Sequence, residues 1–169
     1  MNHMLRPGES IGIRKAQMYD IPVLSSHHRL MFEEMSQVEG VKFENADWAA
    51  MEESYKRKLE QQLTVGTCIA YVLEFKGKIL ASGAVTIVEI APLPNDPNSK
   101  SGYIHSIYTD KEHRRKGYAK LIMEELIMTC KTLNIRRVQL KPSKAGIGLY
   151  EKLGFKANTS MTLWIEGEQ

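Results

Sequence analysis

The sequence predicts an α+β fold, with a mixed, mostly antiparallel central sheet flanked by about four helices. Three observations predict it. Two stretches with apolar residues at spacings of three and four come first, one after the other. Two apolar, strand-length segments then flank Lys76-Gly77, a hairpin signal. A strand, a long amphipathic helix and a further strand complete the pattern. The chain has 169 residues, and one core usually serves roughly 100 to 200.

Residues 1–10 read as a loose leader, and 11–169 as a single domain. Ile11 to Arg14 alternates as a short strand. Asp20 before Ile21-Pro22 marks a helix start, and Val23, Leu24, Leu30, Met31 and Met35 carry that helix to about Ser36. A second helix runs from about Asn45 or Ala46 to Leu63, with Trp48, Met51, Tyr55 and Leu59 on one face and Gly66 beyond its end. Thr67–Phe75 and Lys78–Ile90 are the hairpin strands. Ala91 to Lys100 holds three prolines without periodicity, so it is a loop. Gly102–Thr109 is a strand, and Tyr118 to about Leu133 a helix with Ala119, Ile122, Leu126, Cys130 and Leu133 on its buried stripe. Arg136–Leu140 is a strand, Ser143–Leu153 a short helix ended by Gly154, and Lys156–Ile165 a final strand pair.

Composition excludes several classes. Hydrophobic residues make up 43% and charged residues 25%, which argues against wholesale disorder. No run approaches the roughly 20 apolar residues of a membrane helix, and Met1 to Ser10 lacks a signal-peptide core. A net charge of +3 is too small to imply nucleic-acid binding. Cys68 and Cys130 share no ligand or redox spacing, so no metal site is expected. Chance thiols in a reducing cytoplasm are the expected reading. Charge is unevenly distributed. Glu33 to Glu53 holds seven acids against Lys42 alone, whereas Lys100 to Lys156 holds 13 bases and five acids. Either these are solvated helix faces, or one half favours a cation and the other an anion.

The most informative segment is Arg114-Arg115-Lys116-Gly117-Tyr118-Ala119. With Lys111, four cations crowd a helix N-terminus that is already electropositive. A bound anion would make that arrangement favourable, with free backbone N–H groups aimed at it and Gly117 allowing close approach. A solvated or nucleic-acid-binding patch is the alternative. The segment is neither a P-loop nor a dinucleotide-binding G-x-G-x-x-G.

Arg114-x-x-Gly117-x-Ala119, between a strand ending Ile107-Tyr-Thr109 and an amphipathic helix, resembles the Q/R-x-x-G-x-G/A signature of the GNAT superfamily of acetyl-CoA-dependent acyltransferases. Ser143-x-x-Gly146-x-x-Leu149-Tyr150-x-x-x-Gly154-Phe155 resembles its C-terminal helix-to-strand segment. The element order from Ile11 to Ile165 matches as well. The resemblance implies the acyl-CoA N-acyltransferase fold and direct acetyl transfer from the cosubstrate acetyl-CoA to a primary amine, on a small molecule or a peptide. A non-catalytic acyl-CoA-binding or regulatory module is the alternative.

The resemblance also implies the site. Backbone amides of Arg114, Arg115, Lys116, Gly117, Tyr118 and Ala119 would hold the coenzyme A pyrophosphate, with Arg114 and Arg115 adding charge-assisted contacts. Ser143 would join the cofactor site. Ile107 and Thr109 would hydrogen-bond the pantetheine arm through their backbone, and one such amide would polarise the thioester carbonyl. Tyr150 would serve the departing thiolate, unless it is a core residue. The strand position where many members carry Glu is Tyr103. His105 shares its face, and is either a proton acceptor titrating near neutrality or a structural strand histidine. His27, His28 and His113 are expected at the surface. The acceptor amine would bind between the first two helices and the proline-rich loop, attracted by Glu33, Glu34, Glu39 and Glu44 and walled by Met31, Phe32 and Phe43. No nucleic-acid or membrane partner is expected, and a homodimer is an assembly that the superfamily commonly shows.

Overall fold

The computed structural model describes residues 11–164; the expected leader and Ile165 lie outside them. β1 (Gly12–Lys15) leads into α1 (Ile21–Glu39) and α2 (Trp48–Val65). β2 (Cys68–Phe75), β3 (Lys78–Glu89) and β4 (Lys100–Thr109) follow, then α3 (Tyr118–Thr132), β5 (Arg137–Leu140) and α4 (Ile147–Lys152). The strands lie side by side in chain order, all neighbours antiparallel except β4 and β5, which run parallel. α3 supplies the crossover that a parallel pair requires.

Local chemistry sets the element ends. The Asp47 carboxylate accepts the Ala50 N–H at 2.9 Å and starts α2. α1 and α2 both end on a left-handed glycine, Gly40 at φ 70° and Gly66 at φ 76°. Lys76 and Gly77, at φ 51° and 75°, close the hairpin, since a two-residue turn of this hand needs two positive φ values.

The sheet divides two cores. Ile21, Leu24, Tyr55 and Leu59 of α1 and α2 bury against Ala70, Val72 and Ala84 on one face. Ile122, Met123, Leu126 and Cys130 of α3 bury against Leu73, Leu80, Val85 and Ile104 on the other. The helix stripes expected from the sequence thus face the sheet, with Leu133 an exception at 48% exposure.

The expected final strand pair is absent among the described residues. Residues 156–164 form no strand, and Met161, Leu163 and Trp164 are 97%, 83% and 85% exposed. A strand needs a partner edge as well as residues that favour extended backbone.

One irregularity in β4 shapes the site. Ser82 pairs with Tyr108 and Ala84 with His105, so Ser106 and Ile107 stand opposite Gly83 alone. This is a β-bulge, with Ser106 in the left-handed region at φ 57°. Ile107 is accommodated because residue 83 is glycine: a Cβ there would overlap Ile107 Cδ1 and lie 2.8 Å from Ile122 Cγ2. On its other side, β4 pairs with β5 only as far as Ile104–Leu140. From His105 onward, no strand among the described residues lies beside that edge of β4.

Candidate active site

Two cavities meet along the open edge of β4. The first, about 400 Å³, runs over the signature loop and is lined by Ile107, Thr109, Arg115, Gly117, Ala119 and Ser143 among others. The second, about 710 Å³, lies between α1, α2 and β4, with Phe32, Phe43, Tyr55, Tyr103 and His105 in its walls. Met31, Met35, Glu39, Ile107, Ser143 and Tyr150 border both. Most sequence-predicted site residues therefore gather in one cleft. Arg114 and Tyr118 also line the first cavity, whereas Lys116 does not. The proline-rich loop from Ile90 to Ser99 lines neither.

The loop has the backbone of an anion nest. Arg115 and Gly117 sit at φ 63° and 83°, and such left-handed residues turn successive N–H groups toward one concavity. No side chain caps α3 at Gly117, so the first N–H groups of the helix are left for a ligand. The Arg114 side chain is otherwise engaged. Its guanidinium forks onto the Glu34 carboxylate at 2.9 and 2.5 Å and donates to the Thr109 carbonyl at 3.0 Å. These contacts fasten loop, β4 and α1 together. Arg114 holds the Glu34 carboxyl below the usual carboxylate range.

At the junction, the Tyr150 ring lies over Gly146. A Cβ on that glycine would come within 2.6 Å of the ring, so only glycine fits beneath it. Burial pushes the Tyr150 phenol up, which keeps it protonated at neutral pH.

The bulge gives β4 an unexpected property: His105 and Ser106, adjacent in sequence, both reach the α1–α2 side. Their hydrogen bonds form a chain with one consistent set of donors. His28 Nδ1 donates to Ser106 Oγ at 2.7 Å, Ser106 to the Tyr55 hydroxyl at 3.0 Å, and Tyr55 to His105 Nδ1 at 3.3 Å. His105 Nε2 then donates to Thr86 Oγ1 at 2.8 Å. His28 also stacks on Tyr55, with ring centroids 3.9 Å apart. Sequence reading missed His28, Tyr55, Thr86 and Ser106; only Tyr55 carried a signal, as part of an apolar helix stripe.

Two expectations about histidine are corrected. His27 is 7% exposed and bonds Ser82 at 2.8 Å, and His28 and His113 are half-buried, so none is a surface residue. His105 does not titrate near neutrality: burial lowers its pKa to about 3, and those of His27 and His28 to about 4. Desolvation disfavours the charged imidazole more than any neighbouring acid favours it.

This has a measurable consequence. Unfolded imidazoles bind a proton near pH 6.5, whereas these three stay neutral down to about 4 or 3. The unfolded state therefore binds more protons below pH 6.5. Stability is complete above that pH and falls as the pH drops toward 4, by about 1.4 kcal/mol per pH unit for each such group. Denaturant midpoints at pH 7 and pH 5 should differ clearly, and His27→Gln should narrow the gap. An equal drop in both proteins would contradict the assignment.

Of the acids expected to attract a cation, Glu33, Glu34 and Glu39 are engaged elsewhere, and Glu44 lines neither cavity. Glu33 and Glu52 both bind Arg29 at 2.6 Å. Glu34 holds Arg114. Glu39 accepts the backbone N–H groups of Lys144 and Ala145 at 3.1 and 3.0 Å, tying α1 to the segment before α4. Met31, Phe32 and Phe43 do wall the second cavity, as expected.

A model of the acetyltransferase (GNAT) family matches residues 32–155. The chain belongs to the GNAT family of acetyltransferases. The matched span includes the bulged β4, the signature loop and Tyr150. Among solved structures, this GNAT chain is similar to a predicted acetyltransferase with acetyl-CoA from Clostridium acetobutylicum, at 26% identity and TM-score 0.79, covering 94% of this chain and 96% of that one. A GCN5-related N-acetyltransferase from Ralstonia eutropha JMP134 is 26% identical with TM-score 0.82, over 94% and 100% of the two chains. Glucosamine-6-phosphate N-acetyltransferase from Arabidopsis thaliana is 25% identical with TM-score 0.62, over 95% and 100%. The mixed five-stranded sheet with its helices is the acyl-CoA N-acyltransferase fold of these neighbours. Among the described residues there is no group of acids, cysteines and histidines suited to a metal, and no helix long and apolar enough to cross a membrane.

Proposed function

We propose that the protein transfers an acetyl group from acetyl-CoA directly to a primary amine. The observation that carries this is the meeting of the two cavities at Ile107 and Tyr150, on the open edge of β4. The nest from Arg115 to Ala119 suits a pyrophosphate, and the unpaired backbone of β4 suits the amide-bearing pantetheine arm. Acetyl-CoA supplies the activated acyl carbon at the cavity junction.

The protein's share is positioning and proton handling. Backbone N–H groups at Ile107 to Thr109 polarise the acyl carbonyl. The acceptor approaches from the α1–α2 cavity, a C–N bond forms, and the C–S bond breaks. Tyr150, held protonated by burial, donates its hydroxyl proton to the departing thiolate. His105, neutral and with both ring nitrogens bonded to buried hydroxyls, serves as a link in the chain toward Tyr55 and Thr86 rather than as a free base. The amine's proton leaves along that chain or through water. Cys68 and Cys130 are buried with raised thiol pKa values, so neither is a ready nucleophile, which supports transfer without a covalent enzyme intermediate.

Thiol release from acetyl-CoA across a panel of small amines, amino acids and peptides tests the reading. Saturable turnover with at least one amine is expected. Saturable coenzyme A binding with no turnover on any amine class would leave a non-catalytic acyl-CoA-binding module in its place.

A further inference from the structure

The acceptor cavity has the opposite charge to the one the acid-rich first helices led us to expect. Lys58 of α2 and Lys141 and Lys144, which follow β5, line it, against Glu39 alone. Both Glu39 oxygens are taken by backbone N–H groups. Lys144 reaches the Glu39 carbonyl at 3.4 Å. Neither Lys58 nor Lys141 has a carboxylate partner among the described residues, whereas Glu33, Glu34 and Glu52 of the neighbouring helices are paired with Arg29 and Arg114. The imidazoles of His28 and His105 add no charge at neutral pH, and the field of Lys58 reaches both of them. Lys58 is exposed and lies at the cavity wall. Phe32, Phe43, Tyr55 and Tyr103 give the same cavity an aromatic wall.

A cavity with two uncompensated cations and no free acid repels a polyamine and attracts an anion. We infer that the acceptor is a primary amine that also carries an anionic group, a carboxylate or a phosphate, held by Lys58 and Lys141. This rests on the acetyltransferase reading. The anion sits toward the cavity mouth on the lysines, the apolar body lies against the aromatic wall, and the amine is directed to Ile107 and Tyr150. The positive field also favours the uncharged form of the amine. That eases deprotonation in a site whose histidines are poor proton acceptors.

Matched pairs test the inference: 2-phenylethylamine against phenylalanine for a carboxylate, and ethanolamine against phosphoethanolamine for a phosphate, with spermidine as the cationic extreme. Two readouts are taken, thiol release and the melting-temperature shift in saturating coenzyme A. The anionic member of at least one pair should exceed its neutral partner about tenfold or more in kcat/KM, in keeping with one or two charge-assisted contacts. It should also give the larger thermal shift. The double variant Lys58→Met, Lys141→Met should erase both differences and retain the shift given by coenzyme A alone, whereas Lys56→Met should change neither. Larger thermal shifts with neutral amines or spermidine, or equal shifts within both pairs, would overturn the inference. Anion-selective shifts that depend on the two lysines, without any turnover, would uphold the anion site while sinking the transferase reading.

Discussion

Replacing Tyr150 by Phe lowers turnover by about 10- to 1000-fold, the span expected when a general acid is removed. The loss falls on kcat, while the coenzyme A shift in melting temperature stays near that of the parent protein, because the ring still lies over Gly146 and against Phe155 at 6.1 Å. The expectation follows from position and protonation together. Tyr150 borders both cavities, and burial holds its phenol in the proton-bearing form. Steady-state kinetics of the two proteins on the best amine of the panel make the measurement. Wild-type turnover in Tyr150→Phe would return the residue to core packing.

Replacing Gly117 by Val removes the thermal stabilisation given by acetyl-CoA or coenzyme A. At a ligand concentration about 100 times its Kd, binding to the folded state alone contributes about 2.7 kcal/mol, a rise of roughly 5 to 10 °C for a chain of this size. Gly117 sits at φ 83°, where a β-branched residue is strained. The loop must leave that conformation, and its N–H groups then cease to converge. No heavy atom lies within 4 Å of a Cβ built at Gly117, so the effect is one of backbone strain, not crowding. Gly117→Asn, which tolerates the left-handed region better, should keep part of the shift. A full shift in Gly117→Val would show that the anion is held elsewhere.

Much of this molecule is legible one segment at a time. The helices, the Lys76-Gly77 hairpin, the parallel β5 strand and the signature loop lie within a few residues of their sequence expectations. Each is encoded by neighbours in the chain: apolar spacing, capping residues and glycines that accept positive φ. The resemblance carried by Arg114, Gly117, Ala119 and Tyr150 belongs with these, because the motif is a local backbone shape.

What the tertiary structure decided has a different physical origin. Strand parity places His105 but not Ser106 on the α1–α2 face; the bulge opposite Gly83 turns both there, and a register shift is a property of two strands. The partner of Arg114 is Glu34, 80 positions earlier, so no local pattern could reveal that this arginine fastens the loop to α1. His105 reads either as a near-neutral proton acceptor or as a structural strand histidine until burial lowers its pKa to about 3. The acids of the first two helices read either as solvated faces or as a cation trap, until Arg29, Arg114 and the amides beside Lys144 claim Glu33, Glu34, Glu39 and Glu52. Residues 156–164 read as part of a strand pair, yet among the described residues no edge pairs with them. The sequence by itself determined every element up to α4, the fold and the family, since periodicity and turn chemistry are local. Charge, protonation and register at the site depend on which distant segments meet, and only the folded chain decides that.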